Sequence, residues 1–431
     1  VKKSLRTSTT LLLALWMPLA IRGQTPSSIQ LPVATGQGSD YLTLDSATEL
    51  FLRKNLIVEA ARLELGVAEA ERVGARLRPR PGLTVSAENL RLSGPTSASN
   101  LYEFGATVAQ PIELGNRKTV RMEVAERTVA VSEAQLTQVL RRQLFDLKRT
   151  YCESVLARAV LDIEKENRDN FEGLLRFNKT RFEEGYIAEG DLIKVRLERI
   201  KFDFSVATAA LAFRKTKIRL LELVGDADYE RAARMDVRSN FDVPNVKVDL
   251  AQLKETSLAN RPEIKVAEAE VARAESVLKL ERSRAKGEVT PYAGYRRVGV
   301  DNTVLAGVTV PLPFGNRNQS GIARAEAEQR IAQTNLRFAH NHALAEVEST
   351  FHAYETAREQ IRAYEGGLLK QADESRDIQF SAYQEGATEL ITLIEAQRTR
   401  TEVRANYYRA IFDYYTSIFQ LELATGTDIK L

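Results

Sequence analysis

The sequence predicts a mainly α protein with a small β part: duplicated long antiparallel helical hairpins forming a trimeric α-barrel, plus four strands per chain completing a 12-stranded transmembrane β-barrel. Three observations predict it. None of the twelve prolines falls in residues 112–243 or 314–431. Proline removes a backbone donor and clashes inside a helix, so stretches this long, rich in Ala, Glu, Arg, Leu and Gln, read as long helices. The two stretches also resemble each other. Pro111-Ile112-Glu113-Leu114-Gly115-Asn116-Arg117 recurs as Pro311-Leu312-Pro313-Phe314-Gly315-Asn316-Arg317, 200 residues on, and Phe182-Glu183-Glu184-Gly185 recurs as Tyr383-Gln384-Glu385-Gly386, 201 on. Leu192-Ile193 returns as Leu393-Ile394, and Leu221-Glu222-Leu223 before Gly225 as Leu421-Glu422-Leu423 before Gly426. Collinear matches of this kind mark a duplication. Third, each copy carries two short runs in which apolar and polar residues alternate, the period of a strand with one apolar side.

Taken in order, the elements begin at Val1 to Gly23, where Lys2, Lys3 and Arg6 precede an apolar core from Leu11 to Ile21. This reads as a signal peptide at 1–23, with a core shorter than the roughly 20 residues of a membrane span. The mature chain is then expected to start near Gln24 with an extended segment, 24–44. Repeat 1 occupies 45–225: a helix over 45–77, strands over 83–92 and 101–112 separated by a Ser93-Gly94-Pro95 turn, and helices over 117–182 and 189–224. A linker covers 226–248. Repeat 2 occupies 249–426: a helix over 249–285, opened by Asp249 as its cap and interrupted near Pro262, strands over 288–298 and 303–312, and helices over 317–383 and 389–425. Residues 427–431 form a tail. Tight Glu-Gly turns at Gly185 and Gly386 reverse the helices, and Gly225 and Gly426 suit left-handed C-caps.

Lengths decide what such helices can build. At 1.5 Å per residue the longest span about 100 Å, beyond a globular core or a bilayer. The two shorter helices of each copy together nearly match the long one, so they are expected to stack end to end beside it. Leu140, Leu144, Leu147, Tyr151 and Val155 step by 4, 3, 4 and 4, an apolar seam of coiled-coil spacing.

In the strands, Tyr102, Phe104, Ala106 and Val108 alternate with Glu103, Gly105 and Thr107, and Val304, Ala306, Val308 and Val310 alternate with Thr303, Gly307 and Thr309. Periodicity alone fits both outer-membrane barrel strands and half-buried strands of a soluble domain. Four strands cannot enclose an aqueous lumen, because barrel diameter grows with strand number. Three chains supply twelve and leave no open edge in lipid.

Composition removes other classes. Lys and Arg number 61 against 58 Asp and Glu, a net charge of +3 with no basic tail or block, which argues against a nucleic-acid binder. A 44% hydrophobic fraction and negative mean hydropathy argue against a polytopic helical membrane protein. Cys152 is the single cysteine, excluding an internal disulfide or thiolate zinc cage, and is expected as a small buried side chain. His340, His342 and His352 point in different directions on a helix and read as surface residues, so no metal site is expected. No phosphate loop or nucleophile elbow is present, so neither an enzyme nor a cofactor is expected.

The order helix, two strands, long helix, Glu-Gly turn and helix, in both copies behind a signal peptide, resembles the TolC family of outer-membrane efflux ducts over nearly all of the mature chain. Gln110 to Arg117, Pro311 to Arg317, Asn260-Arg261-Pro262-Glu263-Ile264 and the two Glu-Gly turns carry the resemblance. The wording around Pro111 and Pro311 is most similar to the heavy-metal efflux branch. The resemblance implies a homotrimer in the cell outer membrane, surrounded by outer-membrane lipid, with its helical part in the periplasm and the linker at its equator. It also implies passive conduction of substrate, metal cations included, from an inner-membrane pump of the resistance-nodulation-division type and a periplasmic adaptor (membrane fusion protein), with no covalent chemistry and no nucleic acid. The family's periplasmic gate carries over residue by residue. Its tip aspartate falls on Asp191 and the tyrosine that bonds it on Tyr383. The clamp arginine position falls on Thr388, which weakens a second link. The acidic aperture positions fall on Thr392 and Glu395, leaving one acidic ring that would favour cations. Gly185 and Gly386 mark the tip turns and adaptor contact. An exported periplasmic coiled-coil scaffold or adaptor is the alternative; the adaptor leaves the doubled strand pairs unexplained, the scaffold leaves the strands unused.

Overall fold

The computed structural model describes residues 41–90, 93, 102–237, 243–244, 246–312 and 314–429. The expected signal peptide, nearly all of the 24–44 segment and of the 93–99 turn, the expected strand positions 91–92 and 101, part of the linker and the end of the tail at 430–431 lie outside the described residues. After a two-residue strand β1 (Tyr41–Leu42), helices α1 (Leu44–Lys54) and α2 (Leu56–Ala75) stand where one helix over 45–77 was expected. Asn55 breaks it. Its backbone is extended, its side chain accepts from Val58 N to cap α2, and its Nδ2 donates to Leu223 O. A short amide that can bond the backbone locally offers an alternative to the helical ladder. The second copy breaks where proline predicted it, between α6 (Leu250–Asn260), capped by Asp249, and α7 (Pro262–Arg284).

Strands β2 (Gly82–Glu88), β3 (Glu103–Ala109) and β4 (Ile112–Glu113) lead to α3 (Arg117–Glu183), one uninterrupted helix of 67 residues. Across the Gly185 turn, α4 (Glu189–Leu223) returns to a short α5 (Arg231–Arg234) and to β5 (Asp236–Val237), which pairs in parallel with β1. In the second copy β6 (Glu288–Val298) and β7 (Asp301–Thr309) precede the long helix. The unbroken helix expected over 317–383 is instead α8 (Gln319–Ala363), a π-helical turn over Tyr364–Leu368, and α9 (Leu369–Gln384). Gly367, at φ 141, sits in that turn in a conformation that side chains rarely tolerate. Helix α10 (Leu390–Thr425) closes the chain.

End-to-end stacking is built by the two C-caps. Gly225 and Gly426 are left-handed at φ 70 and 71, and a Cβ on either would strike the carbonyl of Lys54 or of Asn260. The α4 end thereby meets the α1/α2 break, and the α10 end meets the α6/α7 break, where Ser257 donates to Ala424 O. Each junction has its own core. Phe51, Val58, Leu147, Tyr151, Leu220 and Leu221 fill the first; Val347, Tyr354, Tyr414, Ile418 and Leu421 fill the second. The seam Leu147, Tyr151 and Val155 is buried, and Leu140 and Leu144 pack against it. Cys152 is buried among Phe145, Phe419 and Leu423, and burial pushes its thiol up to about 12.

The sheet is antiparallel, in the order β2, β3, β6, β7, with β4 pairing the start of β6. Register sorts its side chains by face. Leu83 and Val85 lie opposite Val108 and Ala106, and these lie opposite Ala293 and Tyr295, which in turn lie opposite Ala306 and Val304. Thr84, Ser86, Glu88, Glu103, Thr107, Arg296 and Thr303 fall on the other face, where Arg296 pairs with Glu103 and Glu88. Among the described residues nothing covers the apolar face: Leu83 is 68% exposed and Val304 85%. Both β2 and β7 are open edges of this sheet among the described residues.

Candidate functional site

At the far end of the helices from the sheet, the two hairpins share one apolar core. Phe171 and Leu174 of α3, Val195 of α4, Tyr383 of α9, and Leu390, Leu393 and Ile394 of α10 are buried together. The turns above it use left-handed glycines, Gly185 at φ 80 and Gly386 at φ 75, where open space rather than crowding surrounds the missing Cβ. Backbone conformation alone requires glycine here.

An open groove of about 980 Å³ runs between the hairpins, lined by Arg181, Asp191, Lys194, Glu198, Tyr383, Thr388 and Ile391 among others. The structure thus brings Asp191, Tyr383 and Thr388 together, next to Gly386. It does not form the bond expected between the first two. The Tyr383 hydroxyl has one proton, and it donates to Asn178 Oδ1 on α3 at 2.5 Å, while Asp191 pairs with Lys194 of its own helix at 2.9 Å. Burial pushes the Tyr383 hydroxyl up, against the opposing pull of Asn178 and Arg181, and the Asp191 carboxylate adds to the rise. Tyr383 is therefore a donor at neutral pH. Thr392 lies in the first turn of α10, its N–H on Glu389 O, and Glu395 projects exposed one turn further on.

Residues that sequence reasoning missed supply most of the polar links between hairpins. Gln397 donates to Asn167 Oδ1 at 2.8 Å in a buried position. Arg398 spans from α10 to both Glu198 oxygens on α4 at 3.2 Å. Arg400, with a 6% exposed side chain, reaches Glu166 of α3 at 2.7 Å and Asp373 of α9 at 2.6 Å, and Arg404 repeats both contacts at 3.0 and 3.1 Å. Burial alone would raise the carboxyls of Glu166 and Asp373, but the hydrogen bonds and charges of the two arginines hold both below the ordinary range. A signal existed: Gln397, Arg400 and Arg404 recur at i, i+3 and i+7, one helix face, and Asn167 and Asn178 stand three turns apart on an apolar seam. These groups tie α10 to α3, α4 and α9 and place paired charges across the contact between the two hairpins. Of the histidines, His342 and His352 are exposed and face Glu346 and Glu348 of their own helix.

A family model described as outer membrane efflux protein matches residues 48–226 and again 253–427. Among curated relatives, the cobalt-zinc-cadmium resistance protein CzcC of Cupriavidus metallidurans is 24% identical over 406 residues, covering 92% of this chain and 93% of its own. The nickel and cobalt resistance protein CnrC of the same organism is 26% identical over 315 residues, 71% of this chain and 72% of its own. Among solved structures, the outer membrane channel CmeC of Campylobacter jejuni superposes with a TM-score of 0.76 at 16% identity, covering 89% of this chain and 85% of that one.

Proposed function

The chain belongs to the outer membrane efflux protein family, and we propose that three copies of it close a single duct, a 12-stranded barrel in the outer membrane continued by a helical tunnel in the periplasm. It is an outer-membrane channel component of a tripartite efflux system, with an adaptor and an inner-membrane pump as partners. One observation supports the trimeric reading: a sheet of four main strands, with the short β4 at one end of β6, whose outer edges β2 and β7 are open and whose apolar face is uncovered among the described residues. In water that face would cost about 25 cal/mol for each Å² left exposed, and in lipid unpaired edges are untenable. Joining β7 of one copy to β2 of the next removes both problems and leaves Glu88, Glu103, Arg296 and the threonines facing a wet lumen. A scaffold or adaptor that stayed in the periplasm would leave the apolar face in water.

The pump is of the resistance-nodulation-division type, and the cargo is divalent transition-metal cations, supported by the resistances named for CzcC and CnrC. The gate is the groove end of the tunnel. Asp191, Tyr383, Thr388, Thr392 and Glu395 surround the opening, Gly185 and Gly386 offer the tip turns to the adaptor, and three Glu395 carboxylates enrich cations at the aperture. The polar links from α9 and α10 to α3 and α4 hold the tunnel shut, and the adaptor opens it by displacing the second hairpin. Deleting the chain from its host should sensitise cells to cobalt or zinc, with restoration by the plasmid-borne gene. Sensitivity to organic drugs with unchanged metal tolerance would refute the metal cargo, and a soluble periplasmic monomer on fractionation would refute the duct.

A further inference from the structure

Charge is distributed unevenly along this chain. Segments 76–82, 113–121, 281–290, 311–312 and 314–317 converge where the sheet joins the helices. Arg121 donates to Ala75 O and Leu77 O, Arg117 donates to Gly287 O, Lys286 packs over Gly115, and Pro311 lies against Gly287. Together they hold ten Lys and Arg against three Glu, an excess of seven positive charges in a chain whose total is +3. All three carboxylates are already taken: Glu113 pairs with Arg121, Glu288 with Arg117, and Glu281 with Arg284. Arg76, Arg78, Arg80, Lys118, Lys286 and Arg317 have no carboxylate in ion-pair reach among the described residues. Five of the six are exposed, Lys118 being half-buried. Large apolar side chains stand exposed in the same band, Leu77 at 63%, Leu312 at 69% and Phe314 at 84%.

We infer that this band is a collar for anionic phospholipid headgroups of the periplasmic leaflet of the outer membrane. The inference rests on the duct reading, which puts the apolar sheet face in lipid and therefore puts the sheet–helix junction at headgroup depth. A second copy of the chain cannot neutralise the band, because it brings the same positive excess to the same level. Guanidinium and ammonium groups beside apolar anchors match a surface that is anionic phosphate outside and hydrocarbon within. The duplicated motif divides this labour: Arg117 of the first copy is bonded inward to Glu288 and two backbone carbonyls, whereas Arg317 of the second remains exposed.

The full chain, purified and placed in nanodiscs of phosphatidylethanolamine containing equal minor amounts of phosphatidylglycerol and phosphatidylcholine, tests this by native mass spectrometry of retained lipid. Phosphatidylglycerol should be enriched about tenfold over phosphatidylcholine, since each surface cation strengthens anionic-lipid attraction several-fold. The quadruple variant Arg78→Gln, Arg80→Gln, Lys286→Gln, Arg317→Gln should abolish the enrichment, and Arg142→Gln with Arg149→Gln, on α3 outside the band, should preserve it. Equal retention of the two lipids by the unaltered chain overturns the collar, as does enrichment that survives the quadruple variant. Loss of enrichment to added glycerol phosphate overturns a membrane-bound source in favour of soluble phosphate. Failure to enter nanodiscs at all would instead strike the duct reading, so the two failures are distinguishable.

Discussion

The Tyr383 hydroxyl donates to Asn178 on α3 and not to Asp191. That hydroxyl is half of a buried pair with Asn178, so Tyr383→Phe leaves the Asn178 carbonyl without a donor at a cost of about 1–2 kcal/mol. Single-channel conductance should rise for Tyr383→Phe and, similarly, for Asn178→Ala, while Asp191→Asn, which loosens only an exposed pair with Lys194, should change it less. An Asp191 effect as large as that of Tyr383 would return the link to the aspartate. The arginine cluster predicts a pH response. Glu166 and Asp373 have folded-state carboxyls depressed by Arg400 and Arg404, so their contribution is present above the unfolded value near pH 4 and is lost as pH falls through the lower folded value. Channels should therefore open more readily as pH drops below about 4 and be indifferent between 6 and 8. Glu166→Gln with Asp373→Asn should open them at neutral pH and flatten the acid response. An unchanged acid profile in that variant would exclude the cluster as a latch.

At the scale of elements, the tip-ward halves of the two long helices differ by one residue. Buried positions correspond at an offset of 200 as far as Leu147 with Val347, Thr150 with Thr350 and Leu161 with Ile361, yet Gly185 and Gly386 stand 201 apart. The second copy is one residue longer than the first between 361 and 386, and the π-helical turn at 364–368, with Gly366 and Gly367, lies in that interval. A π-bulge absorbs one residue without shifting either flank. It also stands just above Arg400 and Asp373, where a hinge would let the second hairpin swing. Deleting Gly367 should give a continuous helix with equal or higher melting temperature and reduced adaptor-driven opening, whereas Gly367→Ala should cost about 1 kcal/mol or more for its φ of 141. Circular dichroism melts of both variants decide this. The offset change was visible in the sequence, but not its form, because an inserted residue can be taken up by a kink, a bulge or a loop. Other features divided similarly. Proline made the α6/α7 break readable, and glycine made both turns and both C-caps readable, because these residues act through their own backbones. The break at Asn55 and the partners of Arg398, Arg400 and Tyr383 depend on what another helix brings from 27 to 234 positions away, which no local pattern encodes.

For the molecule as a whole, the decisive quantity is the orientation of a sheet whose edges β2 and β7 are open among the described residues. Leu305 and Ala306 are neighbours at the middle of β7, at one depth, on opposite faces: Leu305 pairs with Gly294 beside Thr107, and Ala306 pairs with Ala293 among Val304, Val308 and Val108. A soluble half-buried sheet would punish a charge on whichever face it packs, and among the described residues no core covers the apolar one. In a lipid-embedded barrel the cost is one-sided, about 2–4 kcal/mol for an arginine facing hydrocarbon near mid-depth and little for one facing the lumen. Since all three copies would carry the change, Ala306→Arg should abolish the trimer on unheated detergent gels and remove the protein from outer-membrane fractions. Leu305→Arg should leave trimer and location intact and shift conductance toward anions, because three guanidinium groups then ring the water-filled side. If both variants assembled equally well, the apolar face would not meet lipid, and the same result would withdraw the shared barrel.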